Sequence, residues 1–421
     1  MDKFLIKGPC KVKGTVNISG SKNASLPILA ASILFDEMVE IKNLPNVRDI
    51  DTMLSLIKSL GFNVKQNKNS NSVVIKKSKK INTFASYSLV KTMRAGILVL
   101  GPLITKFGKA KTSLPGGCLI GARPINYHLN ALKKLGMNYK IEKGYVNAFA
   151  KSKLTGSNIF FPKISVGATE NAILAATLAN GKTILKNCAI EPEIKNDLTN
   201  FLNQAGAKIK WIGKRTVEIK GVKSLKKISY SVMGDRIECG TFCVAATISK
   251  GNLKIKGFDP KLINTELNLL KKVGAKIKIN EKLISIAGPE KIKPIKNIVT
   301  KEWPGVATDM QSQLMVLMCR ANGKSIITEN IFENRFLHVG ELQRLGADIQ
   351  VKKNKAIIRG NTKFVGAEVM SSDLRASVAL VLAAIISNGK STINRIYHLD
   401  RGYEKIEKKL TKIGVNIKRI S

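Results

Sequence analysis

The sequence predicts a mixed α/β protein made of six repeats, in which helices are buried inside sheets. Six short segments share a glycine followed by alternating lysine and apolar residues: SLGFNVK, KLGMNYK, QAGAKIK, KVGAKIK, RLGADIQ and KIGVNIK. Their glycines lie 68 to 75 residues apart, and near-equal spacing of this kind indicates one supersecondary unit that recurs along the chain. These glycines are Gly61, Gly136, Gly206, Gly274, Gly346 and Gly414.

Each repeat also contains a helix that is apolar nearly all round. TENAILAATLANGKTILKN and SDLRASVALVLAAIISNGKSTINRI are two such stretches. A helix without a polar face is expected to be buried, because a surface helix keeps a polar side. The glycine near its end stops the helix, and the alternating run that follows is typical of a half-buried strand. A second helix then ends at the repeat glycine, and another Lys/Ile strand follows.

The charge and the cysteines exclude several classes of protein. The net charge of +42 would normally favour nucleic-acid binding. However, the lysines are spread over the whole chain and no aromatic residues interleave with them for base stacking, so a solvated lysine surface is the better interpretation. A preference for small anions stays open. The scattered cysteines form no CxxC pair, which argues against a zinc site or a disulfide framework and fits a reduced compartment.

The chain shows no sign of membrane insertion or secretion. No stretch approaches the ~18 apolar residues that a membrane span needs. The first residues, MDKFLIKGPCKVKG, lack the pattern of a signal peptide. We therefore expect a soluble, cytoplasmic protein, and its 44% hydrophobic content suffices for one large or two medium domains.

The starts of the buried helices carry cations where a helix normally avoids them. Lys22, Arg94 and Arg375 lie at such starts, and a positive charge there opposes the helix dipole. A bound anion would make these cations favourable, because free N–H groups at a helix N-terminus bind phosphate and carboxylate. Arg335 and Arg401, in turn-like segments, would add forked donors. The pattern predicts a pocket for a multiply charged anion.

Seven segments, in order, resemble one family: SGSKNASLPILAAS, LPGGCLIGARP, DRIECGTF, TDMQ, FENRF, DLRAS and RIYHLDRGYEKIE. From residue 1 to about residue 418 the chain closely resembles the UDP-N-acetylglucosamine 1-carboxyvinyltransferase family, enolpyruvyl transferases of bacterial peptidoglycan synthesis. The resemblance implies a two-domain inside-out α/β barrel with three repeats in each domain. One domain would span residues 22–233 and carry the cysteine loop, and the other would combine 1–21 with 234–421. The substrates would bind in the cleft between them.

The resemblance also implies a reaction. The enolpyruvyl group of phosphoenolpyruvate would move to the 3-hydroxyl of UDP-N-acetylglucosamine, with release of phosphate. It implies no metal and no organic cofactor, and small-molecule substrates rather than a nucleic acid or a membrane; it leaves protein partners unknown.

Four residues match the family's catalytic set. Cys118, on a glycine-rich segment, matches a proton donor that also forms a covalent adduct with phosphoenolpyruvate. An ordinary thiol, with a pKa of about 8.5, is mostly protonated at neutral pH and suits this role. Asp309 would accept the proton of the sugar hydroxyl, although its place at the start of TDMQ also suits a helix cap. Lys22 and Arg401 would bind phosphoenolpyruvate.

The substrate-binding positions follow from the same resemblance. Asn23 would join Lys22 at phosphoenolpyruvate, and Arg123 would join Arg401 at its phosphate. The other charged residues of the cleft are Arg335, Asp373 and Arg375, with the two arginines near the carboxylate of phosphoenolpyruvate. The nucleotide-sugar positions are Arg94, Arg123, Pro124, Ile125, Asn126, Tyr127, Lys163, Ile164, Ser165, Val166, Asp309 and Ile331.

At one of these positions the chain departs from the family. Arg-Pro-Val-Asp-Leu is common after the cysteine loop, whereas this chain has Arg-Pro-Ile-Asn-Tyr, so Asn126 replaces an acid. We expect weaker nucleotide binding and unchanged chemistry.

Two other functions stay open on the sequence alone. A 5-enolpyruvylshikimate-3-phosphate synthase shares the fold and the reaction type, but it lacks the loop cysteine and typically has Lys-Ser where this chain has Lys22 and Asn23. A non-catalytic basic binding protein could also keep the fold, although the intact set of charged residues argues against it.

Overall fold

The computed structural model describes residues 2–116 and 125–421, which form six four-stranded sheets. They divide into two compact units. The first unit contains residues 20–116 and 125–233, and the second unit contains residues 2–19 and 234–421. Each unit has three sheets and its own hydrophobic core. The prediction of a mixed α/β fold built of six repeats is confirmed.

All six sheets follow one plan, in which a short edge strand runs parallel to a central strand and two antiparallel strands complete the sheet. A parallel pair needs a crossover connection, and in four of the six sheets a buried helix lies in the chain between the two parallel strands. Strand Asn158–Phe160, helix Val166–Ala176 and strand Lys182–Lys186 show this arrangement in one repeat. In the other two sheets the parallel strands are far apart in sequence; these pairs are Val39–Lys42 with Ile228–Ser231 and Lys13–Asn17 with Asn252–Lys256.

The first unit contains three sheets. In sheet order, their strands are Ile228–Ser231, Val39–Lys42, Ser72–Lys77 and Phe62–Asn67; Phe84–Ala85, Lys109–Ser113, Tyr145–Phe149 and Asn138–Glu142; and Asn158–Phe160, Lys182–Lys186, Thr216–Lys220 and Lys208–Gly213. Its α-helices are Lys22–Ala31, Arg48–Ser59, Tyr87–Val90, Leu100–Phe107, Asn126–Lys134, Val166–Ala176 and Thr199–Gln204. Shorter turns of 3₁₀ or π-helix are Ser32–Leu34, Arg94–Val99 and Glu193–Leu198.

The second unit repeats the plan. In sheet order, its strands are Lys13–Asn17, Asn252–Lys256, Leu283–Ala287 and Lys276–Asn280; Asn297–Val299, Lys324–Thr328, Lys355–Arg359 and Asp348–Lys352; and Glu368–Met370, Gly389–Asn394, Lys3–Gly8 and Asn416–Ile420. Its α-helices are Arg236–Ile248, Asn264–Lys272, Gln311–Arg320, Val339–Arg344, Leu374–Ile385 and Ile406–Lys412. Its 3₁₀ turns are Pro260–Ile263, Thr308–Met310 and Ile396–Arg401.

The repeat glycines stop the outer helices. All six have φ between +91° and +106°, a region that side chains with a Cβ rarely adopt. The sequence signature of the repeat is therefore a conformational requirement: the chain must reverse from a helix into a strand within two or three residues.

The crossover helices are buried on every side, as predicted. In Arg236–Ile248 all residues are buried, and in Leu374–Ile385 all but the first are. Their side chains share one core with the inner faces of the surrounding strands in each unit. Their N-termini are therefore fixed in place, which makes them suitable for positioning charged groups. No helix in the described ranges is long and apolar enough to cross a membrane.

Candidate active site

The predicted site residues fall into three groups. Cys118, Arg123 and Pro124 lie outside the described residues. Those in the first unit are Lys22, Asn23, Arg94, Ile125, Asn126, Tyr127, Lys163, Ile164, Ser165 and Val166. Those in the second unit are Asp309, Ile331, Arg335, Asp373, Arg375 and Arg401.

A carboxylate bound by two buried guanidinium groups forms the centre of the second-unit site. Asp309 Oδ1 accepts a hydrogen bond of 2.9 Å from Arg335 Nη2, and Oδ2 accepts one of 2.8 Å from Arg375 Nη2. The arginine side chains are 4% and 6% exposed, against 28% for Asp309. The carboxylate offsets the repulsion between the two cations and holds their forked donors in fixed directions.

The structure does not support the alternative in which Asp309 caps a helix. The turn Thr308–Met310 starts after Ala307 without a side-chain cap. The Asp309 carboxylate instead contacts Arg335 and Arg375, both of which follow much later in the chain. A cap preference describes only local backbone contacts, so it could not reveal this pairing.

Glu329 fixes the turn that carries Asp309, and the sequence did not identify it. Its Oε2 accepts from the Thr308 hydroxyl at 2.9 Å, and its Oε1 accepts from the N–H groups of Ile331 and Phe332 at 2.7 and 3.2 Å. The buried Glu329 side chain thus connects Asp309's turn to the segment that contains Ile331 and leads to Arg335.

Asp373 caps helix Leu374–Ile385 and lies near the charge of Arg335. Its Oδ1 accepts from the N–H groups of Arg375 and Ala376 at 2.9 and 3.1 Å. Burial alone would raise the pKa of Asp373, but the charge of Arg335 and these N–H donors hold it below its ordinary value. Nearby, burial together with the charge of Arg335 lowers the pKa of His338 to about 4, so this imidazole is neutral near pH 7.

In the first unit, Lys22 is paired with a carboxylate that the sequence analysis missed. Its Nζ lies 3.3 Å from Asp49 Oδ2, and both side chains are largely buried. Ser21 caps the helix by accepting from the N–H of Ala24 at 3.3 Å, and Asn23 follows Lys22 on the first turn. An acid in the first turn of a helix is so common that Asp49 gave no distinctive signal.

The two predicted nucleotide segments lie at the starts of helices that pack together. Residues 125–127 begin Asn126–Lys134, and residues 163–166 lead into Val166–Ala176. A Cβ placed on Gly167 would be 3.0 Å from Cε1 of His128, which shows how closely the helix starts approach. Ser165 caps its helix by accepting from the Ala168 N–H at 3.4 Å.

A buried amide supports this part of the first unit. Asn171 accepts from the Gly101 N–H at 2.8 Å, which assigns its oxygen, and its NH₂ group then donates to the Ile97 carbonyl and to Nδ1 of His128, both at 3.1 Å. Burial, helped by the charge of Arg94, lowers the pKa of His128 to about 3. The neutral ring can therefore accept the amide hydrogen bond.

Solved structures place this architecture in a known class. The enolpyruvyl transferase NikO from Streptomyces tendae matches with a TM-score of 0.88 at 23% identity, covering 100% of this chain and 99% of that one. An EPSP synthase from Acinetobacter baumannii matches with a TM-score of 0.78 at 18% identity over 100% of both chains. The chain has the enolpyruvyl transferase fold.

Sequence comparison narrows the class to a family. The family described as EPSP synthase (3-phosphoshikimate 1-carboxyvinyltransferase) matches residues 6–410, so the chain belongs to that family. Relatives named UDP-N-acetylglucosamine 1-carboxyvinyltransferase are 61% identical in Pelagibacter ubique and 49% identical in Trichlorobacter lovleyi, each over the full length of both proteins. One from Coxiella burnetii is 46% identical over 100% of this chain and 96% of its own length.

Proposed function

We propose that this protein transfers the enolpyruvyl group of phosphoenolpyruvate to the 3-hydroxyl of UDP-N-acetylglucosamine. The observation that carries the proposal is the 61% identity, over the full length of both chains, to a relative named for this reaction. The second-unit site supports it, because Arg335 and Arg375 present forked donors that suit a carboxylate or a phosphate.

The proposed reaction is an addition followed by an elimination. The sugar hydroxyl oxygen bonds to C2 of phosphoenolpyruvate while its proton passes to Asp309, and Cys118 donates a proton to the methylene carbon. The C–O bond to phosphate then breaks, and a methyl proton returns to the Cys118 thiolate, which restores the double bond. Lys22, Asn23, Arg123 and Arg401 would bind phosphoenolpyruvate, so residues of both units take part in the proposal.

The product would enter peptidoglycan synthesis, and through it cell-wall growth, cell shape and cell division. Both substrates are phosphorylated metabolites, so we propose that the enzyme works in the cytoplasm.

Phosphate release with two alternative acceptors tests the proposal. The purified chain should release phosphate from phosphoenolpyruvate with UDP-N-acetylglucosamine, and not with shikimate 3-phosphate. The opposite preference would indicate a 5-enolpyruvylshikimate-3-phosphate synthase, the less supported alternative. Release with neither acceptor would indicate a binding protein.

A pair of arginine variants tests the site within the same assay. Arg375→Lys replaces the planar fork with a point charge and should raise the KM for phosphoenolpyruvate. Arg359→Lys, in the same unit but 68% exposed beside Asp348, is the control and should leave activity unchanged. Equal effects of the two substitutions would argue against a role for Arg375 in substrate binding.

A further inference from the structure

A closed ring of hydrogen bonds includes the Asp309–Arg375 ion pair of the second unit. Arg375 Nη1 lies 3.4 Å from the phenol oxygen of Tyr403, which lies 2.8 Å from Oγ1 of Thr241. Gln313 Nε2 lies 3.3 Å from the same threonine oxygen and 2.9 Å from the backbone carbonyl of Asp309. The ring therefore joins three buried helices to the segment that follows Arg401.

The direction of each hydroxyl proton in this ring can be assigned. Thr241 Oγ1 also lies 2.8 Å from the Ile237 carbonyl, which can only accept. The threonine proton therefore points to Ile237, and its oxygen accepts from the phenol of Tyr403. The phenol oxygen in turn accepts a hydrogen bond from Arg375 Nη1. Burial raises the pKa of Tyr403 to about 12, although the Arg375 charge opposes the shift, so the phenol keeps its proton near pH 7.

We propose that Tyr403 is a positioning residue that fixes the Arg375 guanidinium relative to the segment carrying Arg401. The proposal rests on the proposed function, in which Arg375 binds near the carboxylate of phosphoenolpyruvate and Arg401 binds its phosphate. Arg401 ends the turn Ile396–Arg401, two residues before Tyr403. A single buried hydroxyl thus sets the spacing between the groups that would receive the two anionic ends of the substrate.

The aromatic ring of Tyr403 adds a second constraint on the Arg375 guanidinium. The centre of the Arg375 guanidinium lies 5.7 Å from the centroid of the Tyr403 ring, within reach of a cation–π contact. Tyr403→Phe keeps this contact and the packing and removes only the oxygen. It therefore tests the hydrogen bond without opening a large cavity.

The expected result is a selective loss of phosphoenolpyruvate binding. Tyr403→Phe should raise the KM for phosphoenolpyruvate about tenfold, the equivalent of about one hydrogen bond, and change the KM for UDP-N-acetylglucosamine less than about twofold. Thr241→Val removes the acceptor of the same phenol and should act in the same direction. The double variant should be no worse than Tyr403→Phe alone, because either change already opens the ring.

Tyr230→Phe is the matched control. Tyr230 is a buried tyrosine of the first unit whose hydroxyl donates to Asp197 Oδ1 at 2.6 Å, so the same atom is removed from a comparable bond. It should leave both KM values unchanged.

The outcomes separate this proposal from the function on which it rests. A wild-type chain that releases no phosphate with UDP-N-acetylglucosamine overturns both. If the wild type is active, any of three results overturns only the role of Tyr403. These are an unchanged KM for phosphoenolpyruvate in Tyr403→Phe, an equal rise in both KM values, or additive effects of the Tyr403 and Thr241 substitutions.

Discussion

Asp309→Asn distinguishes a proton acceptor from a counter-ion. Asparagine keeps the shape and one acceptor oxygen of the side chain, but it removes the charge and adds an NH₂ group. The two carboxylate oxygens now receive Arg335 Nη2 and Arg375 Nη2 at 2.9 and 2.8 Å. In the variant, the new NH₂ group faces an arginine N–H donor at one of these contacts. The free energy of unfolding must therefore fall, even if kcat does not.

The loss of stability can be bounded from these contacts. A hydrogen bond to a charged group contributes about 1.5–3 kcal/mol. Because the Asp309 side chain is 28% exposed, solvent screens part of the interaction, and we expect the lower end, about 1.5 kcal/mol. For a unit of this size this lowers the Tm by roughly 3–6 °C, measurable by calorimetry.

Kinetics then separate the two roles. Loss of a proton acceptor should reduce kcat by ~10²–10⁴-fold while the KM for phosphoenolpyruvate changes only a few-fold. Loss of a counter-ion would displace the arginines, raise that KM and leave kcat nearly unchanged. We expect the first result; a kcat within a few-fold of wild type would refute the assignment of Asp309 as the proton acceptor.

Asp36→Asn is the control for Asp309→Asn. Asp36 also accepts from two cations, Lys77 at 2.8 Å and Lys106 at 2.5 Å, but it lies in the first unit and no catalytic role is proposed for it. Its substitution should lower stability slightly and leave kcat unchanged.

Three further predictions address other parts of the chain. An epoxide phosphonate that resembles phosphoenolpyruvate should alkylate Cys118, and peptide mass spectrometry should find no label on the thiols whose pKa burial raises, Cys188, Cys239 and Cys319; activity lost with label on one of these would contradict the role of Cys118. Because burial holds the pKa of His128 near 3 while the unfolded chain protonates near 6.5, folding stability is lost as pH falls below about 6.5. Between pH 7.5 and 5, wild type should therefore lose about 2 kcal/mol more free energy of unfolding than His128→Gln in denaturant titrations, and equal losses would contradict a neutral buried ring. Asn126→Asp should lower the KM for UDP-N-acetylglucosamine, whereas Asn130→Asp, on the same helix, should not; equal effects would reduce both to surface charge.

The repeats could be predicted from sequence because their signature is local. A helix that must stop at a positive φ requires glycine, and six such glycines at regular spacing mark six copies of the same turn. The burial of the crossover helices could be predicted from the sequence as well, since these helices have no polar face. Both features depend on neighbours in the chain rather than on distant partners.

The partners of the charged residues could not be predicted in this way. Asp49, Glu329 and Tyr403 are separated in sequence from the groups they hold, and each has an ordinary local explanation as a first-turn acid, a loop acid or a core aromatic residue. The resemblance identified Arg335 and Arg375 as site residues, but only the folded structure shows that one carboxylate binds both.

The charge balance of the second-unit cluster indicates what its arginines contribute. Arg335 and Arg375 carry two positive charges, and Asp309 and Asp373 beside them carry two negative ones, so the four groups are neutral together. Such a cluster attracts an anion only weakly at long range, but it holds its donors in fixed directions before any substrate arrives, which reduces the cost of ordering them. A net charge of +42 would add long-range attraction for any anion. If the proposed function holds, we expect the lysine surface to raise the local concentration of anions and the buried cluster to select their orientation.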